Sequence, residues 1–157
     1  MWESLQQAGW VETVSDTGWL YAIVSIAHYF TLFIFIGTFA LLDLRILGIA
    51  DRRQTIAQLA EQLLPWNWIV FALAMLSGVV LFATAAVDYV PLGLFWLKML
   101  IILLAMLASI LVQIGMRKWG ESPTIPRSAK LIALVSLVLW VGAILAAVDI
   151  SYITGVG

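Results

Sequence analysis

Seven of the eight Lys and Arg residues of this chain fall in two short stretches, and those stretches alternate with four long apolar segments. That alternation confines the chain to a membrane-spanning fold. With 64% hydrophobic and 11% charged residues, it lacks the polar surface that a soluble domain of 157 residues needs. Crossing a hydrocarbon core of roughly 30 Å takes about 20 residues of helix. Apolar segments at about 19–42, 66–87, 94–115 and 131–150 meet that length and leave only connectors between them. Each must be helical, because a strand edge or a loop would strand unpaired N–H and C=O groups in lipid. The expected fold is all-α: one integral membrane domain, a left-handed up-down-up-down bundle of four transmembrane helices with short interfacial helices.

The basic residues set an orientation. Arg45, Arg52 and Arg53 lie between the first two spans, and Arg117, Lys118, Arg127 and Lys130 between the last two. The other connector and both ends carry none. The positive-inside rule therefore puts both basic loops in the cytoplasm and both termini outside. No basic n-region precedes the first span, where Glu3, Glu12 and Asp16 lie, so that span is expected to stay in the mature protein. Ile56, Leu59, Leu63 and Leu64, interleaved with Arg52, Arg53, Gln58, Glu61 and Gln62, predict an amphipathic interfacial helix over about 52–64. Pro65 then suits the first turn of the second span. Trp2, Leu5 and Trp10 hint at a shorter interfacial helix outside, and the segment 120–126 reads as a turn-rich connector.

Several functions are excluded. A net charge of −1, with basic residues already explained by topology, gives no attraction to nucleic acid. Without cysteine there is no disulfide, thiolate metal site or dithiol relay. No carboxylate lies at the middle of a span, which disfavours a proton-coupled exporter, and phosphate loops, paired zinc-helix histidines and serine-nucleophile elbows are missing.

Two ionisable residues inside the spans stand out. His28, the only histidine, lies nine residues past Trp19, so it sits about 13 Å along the first helix. Lys98 lies seven residues past Pro91, about 10 Å along the third span from the same side. Intramembrane ionisable residues are costly and normally turn toward a partner in the bundle. His28 can be an axial haem ligand, a copper ligand, a proton-relay group or a neutral imidazole bonded to a neighbouring helix. Lys98 can snorkel to the outer headgroups, or pair with an anion such as a haem propionate, Asp16, Asp88 or Asp149. Met75, Met99 and Met106 offer thioethers, although methionine at such positions usually fills space. Asp43 and Arg45, at the far end of the first span, are expected to form a local ion pair that anchors the helix. Gly37, Ser77-Gly78, Ala105 with Ser109, and Gly142 with Ala146 permit close helix approach.

The run Ala27-His28-Tyr29, then Gly37, then Asp43-Leu44-Arg45-Ile46-Leu47-Gly48 resembles the first-helix signature of a bacterial four-helix membrane family. That family is catalogued as a domain of unknown function. Pro65-Trp66, Ser77-Gly78 with Phe82, and Phe95-Trp96-Leu97-Lys98 are similar to its second and third helices, so the likeness spans roughly residues 19 to 115. It implies a bundle in the bacterial inner membrane and no particular activity. More distantly, a His in the first helix with a Lys in the third resembles four-helix membrane protoporphyrinogen oxidases and copper-resistance D type proteins. That likeness would make His28 a haem or metal ligand and Lys98 its charged companion.

The leading expectation is a redox-type module that binds haem b or a related tetrapyrrole through His28 and Lys98. A cofactor-free membrane subunit or scaffold of a larger complex is the alternative, and a small transporter or channel the third. In each case the bilayer is the environment, and a homo-oligomer or larger membrane complex is a possible setting.

Overall fold

The computed structural model describes residues 1–49, 55–119 and 125–154, with 117–119 and 149–154 described as backbone alone. Its elements are all helices: α1 (Trp2–Gln6), α2 (Gly9–Asp16), α3 (Gly18–Leu47), α4 (Ile56–Thr84), α5 (Ala86–Tyr89), α6 (Gly93–Trp119) and α7 (Arg127–Thr154). Within them, four stretches are long and apolar enough to cross a membrane: Gly18–Leu47, Ile56–Thr84, Gly93–Met116 and Arg127–Val148. They pack as the expected four-helix bundle. α3 lies along α4 and against α7, and α6 lies along α7, whereas α4 and α6 meet only sparsely. The outward faces carry Ile26, Phe33, Leu76, Leu111 and Leu145, all exposed. Such a surface has lipid as its solvent, so the chain is a multi-pass membrane protein.

Local chemistry fixes the helix ends. α3 stops where Gly48 takes φ 84°, a left-handed conformation that closes the helix and that a side chain would resist. α4 starts at a capping box: the Gln58 backbone N–H donates to Thr55 Oγ1 over 3.2 Å, and the Thr55 N–H donates to Gln58 Oε1 over 3.1 Å.

That start moves a boundary. The amphipathic stretch is the opening of α4 and no separate interfacial helix, and Pro65 lies inside the helix instead of at its first turn. Ile56 and Ala60 are buried in the core, with Leu59 and Leu64 packed against it. Losing one backbone bond at Pro65 costs less than ending a helix at the edge of hydrocarbon, where several carbonyls would be orphaned. Arg52 and Arg53 lie outside the described residues.

The core centres on Phe35. Its ring meets Phe39 edge-on at 5.2 Å, Phe71 at 5.0 Å and Trp140 edge-on at 5.2 Å, tying α3 to α4 and α7. Around this knot Ala105, Ala129, Ala133 and Ala143 are buried, and their small side chains let the helices approach closely.

The end that carries the N-terminus is closed by a second aromatic group. Trp2 of α1 meets Phe82 edge-on at 5.8 Å, Phe82 stacks on Phe95 at 5.3 Å, and Phe95 stacks on Tyr89 at 5.8 Å. A bond of 3.3 Å from the Val87 N–H to Gln6 Oε1 ties α1 to α5. Burial pushes the Tyr89 hydroxyl up to about 12, with the acidic groups of Tyr21, Tyr29 and Asp88 adding in the same direction. The sign follows: raising the folded value above the ordinary 10.0 favours the neutral phenol, so this contribution is present below pH 10 and lost as pH climbs toward 12. Phenolate absorbance is expected to show one tyrosine ionising only near pH 12, a step that Tyr89→Phe removes.

Candidate intramembrane site

His28 points from α3 into α4. Its Nδ1 lies 3.0 Å from the Ala74 carbonyl oxygen and 3.0 Å from Ser77 Oγ. A carbonyl can only accept, so Nδ1 carries the proton and donates. Ser77 fits the same direction, because its own hydroxyl donates back along α4 to the Leu73 carbonyl over 2.8 Å or the Ala74 carbonyl over 3.1 Å, leaving a lone pair for the imidazole. No hydrogen bond among the described residues reaches Nε2. Anchoring one nitrogen by an N–H to a carbonyl while the other keeps its lone pair is shared by metal-ligating histidines and by neutral imidazoles that bridge two helices.

The ring lies against Gly78. A Cβ built there would stand 2.9 Å from His28 Cε1, closer than real Cβ atoms come. Glycine is therefore required on the face of α4 that receives the imidazole. The Ser77-Gly78 pair, expected to serve helix packing, forms the receptor for His28: Ser77 accepts the hydrogen bond and Gly78 makes room.

Lys98 lies at the same depth. Phe82 stacks on Phe95, which sets the level at which antiparallel α4 and α6 face each other. Gly78 is four residues from Phe82 and Lys98 three from Phe95, so both are about 5 Å deeper in the bundle. Lys98 is partly buried between exposed neighbours Trp96, Leu97, Met99 and Leu100, so its side chain turns inward, near enough for its charge to act on His28. It makes no hydrogen bond or ion pair among the described residues. Asp88 instead lines, with Ser15, Tyr21 and Thr84, a cavity of about 240 Å³ at the N-terminal end. Neither Asp16 nor Asp88 pairs with Lys98, and the Asp149 side chain lies outside the described residues.

One further expectation is corrected, that of the Asp43–Arg45 pair. Met75 and Met99 are exposed on outward faces, so they offer no thioether to the bundle interior, and Met106 packs against the core cluster. Asp43 and Arg45 do not form an anchoring pair: side chains at i and i+2 of a helix do not face each other. Asp43 is fully buried, and neither of its oxygens has a hydrogen-bond donor. Among the described residues no group of three or more His, Cys, Asp or Glu could hold a metal ion, so any metal at His28 would need donors of another kind.

Sequence reasoning missed a second polar group. Ser109, Ser136 and Trp140 are buried; Trp140 Nε1 donates to Ser109 Oγ over 3.0 Å, and the two serine oxygens lie 3.3 Å apart. No motif announces residues on two helices separated by a loop, although a serine within an apolar span is itself a signal. Asn67 is also buried, with both amide atoms unpaired among the described residues.

Fold and site together define a class: a multi-pass four-helix membrane bundle with one His–Lys polar layer between two aromatic groups. No protein-family description, curated protein or solved structure matches the chain.

Proposed function

We propose that this protein is a redox-type membrane module that binds haem b or a related tetrapyrrole, with His28 Nε2 as axial ligand. The observation that carries the reading is the His28 ring itself, held through Nδ1 by Ala74 and Ser77 while Nε2 keeps its lone pair. Lys98, at the same depth and without an anionic partner among the described residues, is suited to a propionate. The sparse contact between α4 and α6 supports entry of a flat guest from the membrane side. Bound there, the group would supply one-electron chemistry tuned by its axial ligand and the low local dielectric. The chain's own part is to fix the imidazole, neutralise a carboxylate and exclude water with the aromatic groups on either side. With Met75 and Met99 facing outward, neither thioether would join His28 in holding the group.

The same reading places the chain in the bacterial inner membrane, with both basic loops cytoplasmic, both termini periplasmic, and the site in the outer half of the bilayer. The partition of Lys and Arg between the loops supports this orientation. It also groups the chain with the four-helix family whose first-helix signature it resembles.

The test is an absorbance spectrum of the detergent-purified protein before and after haem addition. A Soret band that saturates at one haem per chain, or one per two chains, is expected, and His28→Ala should abolish it. Lys98→Ala should weaken binding while keeping the band position, since it removes a propionate partner and leaves the iron ligand. A folded protein that stays colourless with excess haem would overturn the reading.

A further inference from the structure

At the end of the bundle that carries the basic loops, a carboxylate is sealed away from every donor that would ordinarily hold it. Asp43 has no exposed surface, and neither oxygen accepts a hydrogen bond from any described residue. Beside it, on α7, stands Ser136. Ser136 Oγ in turn lies 3.3 Å from Ser109 Oγ, which accepts from the Trp140 indole, and either serine hydroxyl can be the donor in that pair. One hydroxyl does not offset the cost of a full negative charge in a packed apolar interior, which amounts to several kcal/mol.

The charged groups on the elements packed around this point do not supply the counter-charge. Glu61 of α4 is acidic and exposed, and Arg127 and Lys130 of α7 are exposed at the bundle surface. α6 contributes Ser109 and Gln113 at this level, while the side chains of Arg117 and Lys118 lie outside the described residues. Arg45, on α3 itself, leaves the helix on another side. Asp43 and Ser136 are thus hard oxygen donors around a point with no positive charge among the described residues. Two carboxylate oxygens and one hydroxyl are too few to dehydrate and hold a metal cation, monovalent or divalent, which takes about six oxygens, whereas a proton needs only one.

We infer that Asp43, with Ser136 beside it, is a proton-binding site, a carboxyl held as the neutral acid, in the half of the bundle away from His28. The site is separate from the proposed tetrapyrrole layer: the Phe35 knot lies between them, with Phe35 and Phe39 on α3 between His28 and Asp43. Its test therefore stands or falls on its own.

Infrared spectra of the protein in lipid vesicles read the carboxyl directly. In sodium-free choline buffer at neutral pH, the wild type is expected to show the carbonyl stretch of a protonated, buried carboxylic acid that Asp43→Asn lacks. The band is expected to persist when NaCl replaces choline chloride and to disappear only on raising pH. Conversion to a carboxylate band by NaCl at constant pH would mean a metal site and overturn the inference. A carboxylate band assigned to Asp43 that is unchanged by both pH and Na⁺ would overturn the inference, because it would mean a permanent charged partner. The reading does not depend on the Asn variant folding. Wild-type thermal unfolding in the same vesicles should shift upward as pH falls and stay unchanged when Na⁺ replaces choline, and a midpoint indifferent to pH is the second overturning result.

Discussion

Gly78→Ala is expected to dislodge His28 and to cost the protein its ligand geometry, despite being the smallest possible change. The added Cβ would lie 2.9 Å from His28 Cε1. The imidazole must give way, but two bonds of 3.0 Å to Ala74 and Ser77 hold it. Moving far enough to relieve the clash breaks at least one of them. Two opposing effects then decide the sign. Alanine raises helix propensity over glycine by up to about 1 kcal/mol, whereas an imidazole N–H left without an acceptor inside the bundle costs about 1–3 kcal/mol. Net destabilisation is expected, by about 1 kcal/mol. The larger consequence falls on binding, since outer-shell partners of a ligating histidine are each worth roughly 10–100-fold in affinity. Haem titration of Gly78→Ala should show weakening in that range, with the Soret band displaced. An unchanged affinity would mean that His28 needs no anchoring by α4.

Phe35→Ala should be the most damaging single truncation in the core. Phe35 is 1% exposed and touches three aromatic rings on three helices. In water, such a change would cost both the transfer of the side chain and the cavity left behind. In a membrane the unfolded helices remain in lipid, which is as apolar as the core, so the transfer contribution largely vanishes and packing alone remains. Removing roughly 100 Å³ of side chain at about 24 cal/mol per Å³ of cavity leaves a cost of about 2 kcal/mol. Reversible unfolding in mixed micelles measures it. A cost below about 0.5 kcal/mol would show that lipid or a neighbouring side chain fills the void. Phe33, also on α3 but 78% exposed, is the control, and Phe33→Ala should be nearly neutral.

Much of this fold is legible in the sequence because the membrane removes alternatives. Once an apolar stretch of about 20 residues must span lipid, helix is the one local answer. The errors arise where that constraint fades, near the ends of spans. Pro65 suggests a helix start, yet the Thr55–Gln58 capping box ten residues earlier is the real one, and the hydrophobic face between them packs into the bundle. The Thr-x-x-Gln spacing at Thr55 is itself a helix-start signal.

The site divides similarly. That His28 and Lys98 share a depth follows from counting residues along helices, and the structure brings them to one layer. That Gly78 and Ser77 receive the imidazole does not follow, because it depends on the rotation of α4 relative to α3, which only packing sets. Asp43 differs from its sequence expectation for a related reason. Its neighbour Arg45 suggests a pair in sequence, but two residues along a helix turn the side chains apart, and Asp43 is buried in the core.

His28 is anchored through Nδ1 and presents a bare Nε2 within the bundle. Nitrogen-15 solid-state NMR of histidine-labelled protein in bilayers tests it directly, since the chain has one histidine and every signal belongs to it. A protonated Nδ1 within hydrogen-bonding distance of the Ala74 carbonyl and an unprotonated Nε2 are expected. A ring protonated at Nε2, or one with no proximity to Ala74, would contradict it.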